Sequence, residues 1–274
     1  MGQEEPYHIE ITKQDAVIRG LPNELHGAVF AQVSDIHGGF AGLEKVYEEA
    51  LAHVNASEPD YVFFTGDFID KRATRYDFPI VEYLQSFRSS RGSYACLGNH
   101  DHRRGKAGTV RMLEKAGVRL LDNESVRLES GLWIAGVDDL FEGQPDIART
   151  FADLPADQTS IVLSHNPKLI EKARGRDLLI LSGHTHGAQF RLKFPPPLVI
   201  CYVHLRCWQV EGWYQRGNTR LYVNRGLGVT GKPFRIDCPA EIGIFRMVPD
   251  PDDKARTGGK AVEDQSSPLA AGRS

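Results

Sequence analysis

Short, unbroken apolar runs recur through the chain, and amphipathic stretches separate them. Residues 28–33, 61–65, 94–97, 161–163 and 178–181 are continuous runs bounded by turn-forming residues, the pattern of strands buried on both faces. Leu43, Val46, Tyr47, Ala50, Leu51 and Val54 carry helical spacing. Further helices are predicted over 80–87, 110–116 and 168–174, the second closed by Gly117 at the C-cap position. Residues 126–128 and 132–137 flank Ser130-Gly131 and predict a hairpin. Beyond Gln189 the pattern turns β-rich, at 198–203, 221–223 and 241–248. Strands with interleaved helices predict an α/β domain, a two-sheet sandwich with helices outside, over residues 28–248. Residues 8–12 and 16–18 read as a short hairpin within a lead-in of residues 1–27. Residues 249–274 contain no aromatic side chain and predict a disordered tail. There is no internal repeat.

The polar residues are informative because of where they fall. Asp35-Ile36-His37 follows the first buried run, Gly66-Asp67 the second, and Gly98-Asn99-His100-Asp101 the third. Ser164-His165-Asn166 and Gly183-His184-Thr185-His186-Gly187 follow the last two. A rigid sheet fixes such positions, and loops supply the backbone freedom to aim side chains. Two divalent ions a few ångströms apart need a bridging carboxylate, further oxygen donors and neutral imidazoles. Asp35 and His37 can reach one ion from a single extended loop. Asp67 suits the bridge, Asn99 offers a carbonyl oxygen, His165 adds an imidazole, and His184 and His186 can divide between the two ions. The product of such a site is a bridging hydroxide at neutral pH. His100 is not needed as a ligand and is free to serve as the general acid, with Asp101 holding its tautomer. Mixed nitrogen and oxygen donors without thiolate suit Mn²⁺ first, with iron or Zn²⁺ as alternatives.

Composition narrows the class. The chain has 274 residues, 41% hydrophobic and 25% charged, with a net charge of −3. That is enough for one sizeable core, and it carries no basic excess of the kind a nucleic-acid surface needs. Nothing resembles a signal peptide, and the longest apolar stretch, 195–203, is too short and proline-rich to span a bilayer, so no transmembrane segment is expected. Cys96, Cys201, Cys207 and Cys238 form no Cys-x-x-Cys pair and read as buried thiols; count alone permits a Cys201–Cys207 pairing. A reducing cytoplasm is the expected compartment.

In their order, these blocks resemble the calcineurin-like metallophosphoesterase superfamily, with its pattern Asp-x-His, Gly-Asp, Gly-Asn-His-Asp/Glu, His and Gly-His-x-His. The resemblance implies a four-layer αββα distorted β-sandwich. It implies one metal at Asp35, His37, Asp67 and His186, a second at Asp67, Asn99, His165 and His184, and His100 as the catalytic histidine. Ser34 to Gly38, Leu163 to Pro167, Ser182 to Gln189 and Val223 to Gly228 are similar to one branch of that superfamily, which includes UDP-2,3-diacylglucosamine pyrophosphatases. The branch usually has Gly where this chain has Ala188, and it often carries an N-terminal hydrophobic anchor.

Around this core lie weaker candidates. His102 lies two residues after His100 and is a candidate substrate contact. Arg103, Arg104 and Lys106 read either as a solvated basic patch or as capture of a substrate phosphate, and Arg225 is a similar candidate. Asp70 reads as a helix N-cap or as a support behind the ligands. Asp138 and Asp139 read as turn residues. Residues 194–214 are rich in aromatic and apolar side chains and read as strands of the second sheet, or as a cap or groove for a lipid-like or aromatic substrate, with peripheral membrane contact as a corollary. The leading function is hydrolysis of a phosphodiester or pyrophosphate, with a lipid-linked or nucleotide substrate. A phosphomonoesterase is the alternative within the same chemistry. A non-catalytic scaffold on the same fold is the alternative of another class; such scaffolds tend to lose ligands, and this chain keeps them all.

Overall fold

The computed structural model describes residues 8–40, 42–70, 78–191, 207–232 and 234–253. Among the described residues, twelve strands form two six-stranded sheets. In chain order they are β1 (Ile9–Ile18), β2 (Val29–Val33), β3 (Tyr61–Phe64), β4 (Ser93–Ala95), β5 (Arg119–Leu120), β6 (Glu124–Arg127), β7 (Trp133–Gly136), β8 (Ser160–Leu163), β9 (Leu178–Ser182), β10 (Gly212–Arg216), β11 (Thr219–Val223) and β12 (Ala240–Pro249). The helices are α1 (Glu44–Ala56), α2 (Ile80–Gln85), α3 (Asn99–Ala116), α4 (Ile147–Thr150) and α5 (Leu169–Lys172). The first sheet runs β1-β12-β2-β3-β4-β5 and the second β10-β11-β9-β8-β7-β6.

Strand periodicity sorts the side chains into layers. Phe30, Tyr61, Phe63, Ile161, Leu163, Leu179 and Leu181 fill the space between the sheets, where Phe245 stacks on Phe30 at 4.9 Å. Their sequence neighbours face the other way. Ala31, Val33, Val62 and Phe64 pack under Val46, Tyr47 and Ala50 of α1, Tyr83 and Leu84 of α2, and Met112 and Leu113 of α3. Val162, Ile180, Leu221 and Val223 meet Leu169 and Ile170 of α5 beside Phe151. The result is helix, sheet, sheet, helix. Because both faces of the central strands are buried, they read in the sequence as unbroken apolar runs.

β2, β3 and β4 are mutually parallel, as are β7, β8 and β9. Their carboxyl ends therefore lie on one side of the sandwich, the side where open α/β sheets place their ligands. Gln32 ties the two layers together beneath that side, donating its carboxamide to Thr65 Oγ1 at 3.2 Å and to the Ser182 carbonyl at 3.0 Å.

Two expectations change. Residues 9–18 form one ten-residue strand rather than a hairpin, paired in parallel with β12 from Ile9–Ala240 to Ile18–Pro249. That partner lies at the far end of the chain, so no local pattern announces it, and the sandwich begins before residue 28. The helix expected over 110–116 starts at Asn99, with a non-helical break at Gly105 (φ 118°). Of the apolar stretch 194–214, residues 194–206 lie outside the described residues, and Gly212–Arg216 is the edge strand β10. The strand expected over 198–203 and residues 254–274 of the expected tail also lie outside them.

Candidate metal centre

Each candidate ligand follows a strand end. β2 delivers Asp35 and His37, β3 delivers Asp67, β4 leads to Asn99 in the first turn of α3, β8 delivers His165, and β9 delivers His184 and His186. Five of these seven adopt left-handed backbone, with φ of 48° at Asp35, 44° at His37, 57° at Asp67, 73° at His184 and 52° at His186. Such a conformation costs a non-glycine residue on the order of 1–3 kcal/mol, so the surroundings must impose it. They do. Asp35 N–H donates to the Gly66 carbonyl and His37 N–H to the Asp67 carbonyl, each at 3.0 Å. His184 N–H donates to the Asp35 carboxylate at 3.0 Å. Close approach also demands glycine: a Cβ on Gly98 would lie 2.2 Å from Asp67 Oδ1, and one on Gly183 would lie 2.1 Å from Asp35 Oδ2.

The donor atoms converge in two overlapping groups. In one, His37 Nε2 is 3.1 Å from His186 Nε2 and 3.4 Å from Asp67 Oδ2, and His186 Nε2 is 3.3 Å from Asp35 Oδ1. In the other, His165 Nε2 lies 3.2 Å from the same Asp67 Oδ2 and 3.1 Å from Asn99 Oδ1. His184 Nδ1 lies 2.9 Å from Asn99 Oδ1 and 3.1 Å from His165 Nε2. Ring nitrogens that face one another at 3.1 Å with carboxylates beside them present converging lone pairs, which suits a cation between them. His165 is fixed for that role by its other nitrogen, 2.8 Å from the Thr65 carbonyl.

The electrostatics agree. Burial, reinforced by neighbouring positive groups, pushes His184 and His186 well below the ordinary imidazole value, so both stay neutral and able to ligate. Burial acts on His165 in the same sense, but the Asp67 and Asp35 carboxylates override it and raise His165 well above the ordinary value. Burial opposes the ionised form of Asp67 too, yet His165 and His37 hold its carboxyl well below the usual range. The negative potential that would keep a proton on His165 is the potential that would hold a divalent ion there. The donor set therefore fits divalent cations.

His100 sits at the edge of this group with its ring at right angles to that of His37, 4.8 Å between centroids. The carboxylate behind it is that of Asp70: Asp70 Oδ2 is 3.7 Å from His100 Nδ1 and 3.5 Å from His37 Nδ1. Asp101, expected to orient His100, instead accepts three backbone N–H groups, from Asp67 and Gly98 at 2.8 Å and from Phe68 at 3.0 Å. The start of α3 turns its carboxylate back onto the β3 loop, away from the imidazole.

The expected substrate contacts are engaged elsewhere. His102 Nε2 is 2.6 Å from Asp138 Oδ1, which makes it part of an ion pair rather than a free contact. Arg103 donates twice to Glu142, at 2.7 and 3.0 Å. Arg104 reaches the Asp70 carbonyl at 3.4 Å. Arg225 is nearly buried among Glu10 at 2.8 Å, Glu241 at 3.3 Å and Glu211 at 3.5 Å, so its charge is consumed inside the fold. Asp138 and Asp139, read as turn residues, accept the N–H groups of Gln144 (3.0 Å), Phe141 (2.8 Å) and Glu142 (2.7 Å). Arg235 escaped sequence reading because no motif surrounds it. It donates to the carbonyls of Gly228 (2.6 Å), Arg225 (2.9 Å), Gly226 (3.0 Å) and His186 (3.2 Å), clamping the 225–228 loop onto the histidine loop.

Residues 28–188 match the family described as calcineurin-like phosphoesterase. The chain is 34% identical to the uncharacterized metallophosphoesterase YkuE of Bacillus subtilis, over 89% of this chain and 87% of that one. It is 33% identical to the uncharacterized metallophosphoesterase Cj0846 of Campylobacter jejuni over 87% of its own length, and spans 63% of that protein. It is 26% identical to the UDP-2,3-diacylglucosamine pyrophosphatase LpxG of Chlamydia muridarum, over 90% of this chain and 92% of that one. The chain thus belongs to the calcineurin-like phosphoesterase family and is a metal-dependent phosphoester hydrolase.

Proposed function

We propose that the chain hydrolyses phosphodiester or pyrophosphate bonds at a dinuclear divalent-metal centre. In this reading Asp35, His37, Asp67 and His186 hold one ion, and Asp67, Asn99, His165 and His184 hold the other. When bound, the ions supply Lewis acidity that makes water nucleophilic near neutral pH and offsets negative charge in the transition state. Mn²⁺ is the first choice for this donor set, with iron or Zn²⁺ as alternatives.

The observation that carries the reading is the position of His100 at the edge of the donor atoms, its ring edge-on to that of His37 and Asp70 behind both. Its Nδ1 is buried and faces Asp70 at 3.7 Å, so Nε2 is the nitrogen left to meet a leaving oxygen. Burial pushes the imidazole below its ordinary value, and the Asp67 and Asp70 charges work against that. Protonation of the leaving oxygen matters most for poor leaving groups, which favours diesters over reactive monoesters. A dianionic monoester also needs paired guanidinium donors, and Arg103 and Arg225 are bound to glutamates. Similarity to LpxG, named as a pyrophosphatase, supports the pyrophosphate half of the reading.

The test is His100→Asn assayed on bis-p-nitrophenyl phosphate. Metal content should stay at two ions per chain while kcat falls by roughly 10²–10⁴-fold, the usual worth of a general acid. Native turnover in that variant refutes the role.

A further inference from the structure

Beside the second half of the donor group, a short loop carries an exposed aromatic ring. Phe141 is 41% exposed, yet its ring packs edge-on against that of His184, with 5.2 Å between centroids. The loop is not slack. Asp139 Oδ2 accepts the N–H groups of Phe141 and Glu142, and Asp138 Oδ2 accepts that of Gln144. Asp138 is also held by His102 at 2.6 Å and Lys106 at 3.2 Å, and Glu142 by Arg103. Three side chains from α3 therefore fix the loop, and with it the ring, next to a candidate ligand.

Over that ring stands Lys168, its Nζ 5.4 Å from the Phe141 centroid. Lys168 lies three residues after His165, and its backbone N–H donates to the Asn166 carboxamide at 3.0 Å. Of its cationic neighbours, His102 and Lys106 are paired with Asp138, Arg103 with Glu142 and Arg225 with three glutamates, while Arg104 and Arg235 donate to backbone carbonyls. Among the described residues Lys168 has no ion-pair partner, and an aromatic face is what supports it. A cation resting on a π face keeps its charge available to an incoming anion, whereas one already paired with a carboxylate does not.

We propose that Lys168, seated on the Phe141 ring at the rim of the metal centre, is a specificity residue that recognises a second phosphoryl group beside the scissile phosphorus. The inference rests on the phosphoesterase reading and narrows it. The preferred substrate class is the pyrophosphate, which carries that second charge, rather than the simple diester, which does not. Phe141 acts as a positioning residue, holding the ammonium where the second group arrives.

The experiment measures calorimetric binding of two probes to the manganese-loaded full-length protein. One is α,β-methylene-ADP, which has two phosphoryl groups and resists cleavage between them; the other is AMP, which has one. Wild type should bind the methylene compound at least ten-fold more tightly than AMP. Lys168→Ala should weaken the methylene compound ten-fold or more and AMP less than three-fold, and Lys168→Arg should restore most of the difference. Phe141→Ala should weaken the methylene compound about five-fold. Lys172→Ala, an exposed cation on the same helix, should change neither. Equal weakening of both probes by Lys168→Ala, or no preference in wild type, overturns the assignment. Turnover of bis-p-nitrophenyl phosphate in the same preparations tests the underlying reading separately, since probe preference persists even where catalysis is lost.

Discussion

The Asp101 carboxylate grips the backbone N–H of Asp67 at 2.8 Å, so a residue that does not face the centre sets the position of a carboxylate whose Oδ2 lies against both His37 and His165. The same carboxylate takes the N–H groups of Gly98 and Phe68. Asp101→Asn leaves one oxygen to accept and turns an NH₂ toward at least one of the three N–H donors. The expected cost is about 1–3 kcal/mol, read as a lower denaturant midpoint, with weaker manganese binding because Asp67 is no longer held. Unchanged stability and metal affinity would remove Asp101 from this role.

Chelation should abolish turnover and lower the melting temperature together. Asp35 and Asp67 are buried close together, and a cation that binds only the folded chain stabilises it by about 2.7 kcal/mol at a hundred times its dissociation constant. For a domain of this size that is on the order of 5–10 °C. Adding back Mn²⁺ should recover both properties. Protein shown by elemental analysis to be free of metal, yet still active, contradicts the metal dependence.

Gly183→Ala should damage one ion site more than the fold. The added Cβ would lie 1.9 Å from Ser34 Oγ and 2.1 Å from Asp35 Oδ2, and these two oxygens are already hydrogen-bonded to each other at 2.6 Å. Asp35 must move, at an overpacking cost of about 1–3 kcal/mol. Manganese stoichiometry should drop toward one per chain. A variant that keeps two ions and native activity would show that Asp35 is not a ligand.

The His102–Asp138 pair should give stability a definite pH window. Hydrogen bonding to Asp138 raises His102 above its ordinary 6.5. The contribution of His102 is therefore complete below 6.5 and is lost as pH rises through the higher folded value. Burial works to raise Asp138, but His102 outweighs it and holds the carboxyl below its ordinary 3.8, so its contribution is complete above 3.8 and lost as pH falls through the lower folded value. The melting-temperature difference between wild type and His102→Asn should be largest near pH 5 and shrink toward pH 9. A difference that stays constant across that range would mean the pair is not ionic.

The sheet order shows where sequence reading reaches and where it stops. The runs at 61–65 and 178–181 identify β3 and β9 because strands buried on both faces must be apolar throughout, a local property. The candidate donor residues were legible for a similar reason: each sits within a few positions of such a strand end, and the parallel arrangement brings those ends together. The pairing of β1 with β12 was not legible, because its partners lie some 230 residues apart along the chain. Charge was the other blind spot. His102, Arg103 and Arg225 look free in the sequence, and only folding reveals Asp138, Glu142 and Glu10 beside them. The sequence by itself determined which residues are candidates to bind metal and which segments carry them, because both follow from side-chain chemistry and strand period. Tertiary structure alone decided which carboxylate stands behind His100, which cations are paired with carboxylates and that Lys168 rests on Phe141, because electrostatic partners are chosen by distance in space and not by order along the chain.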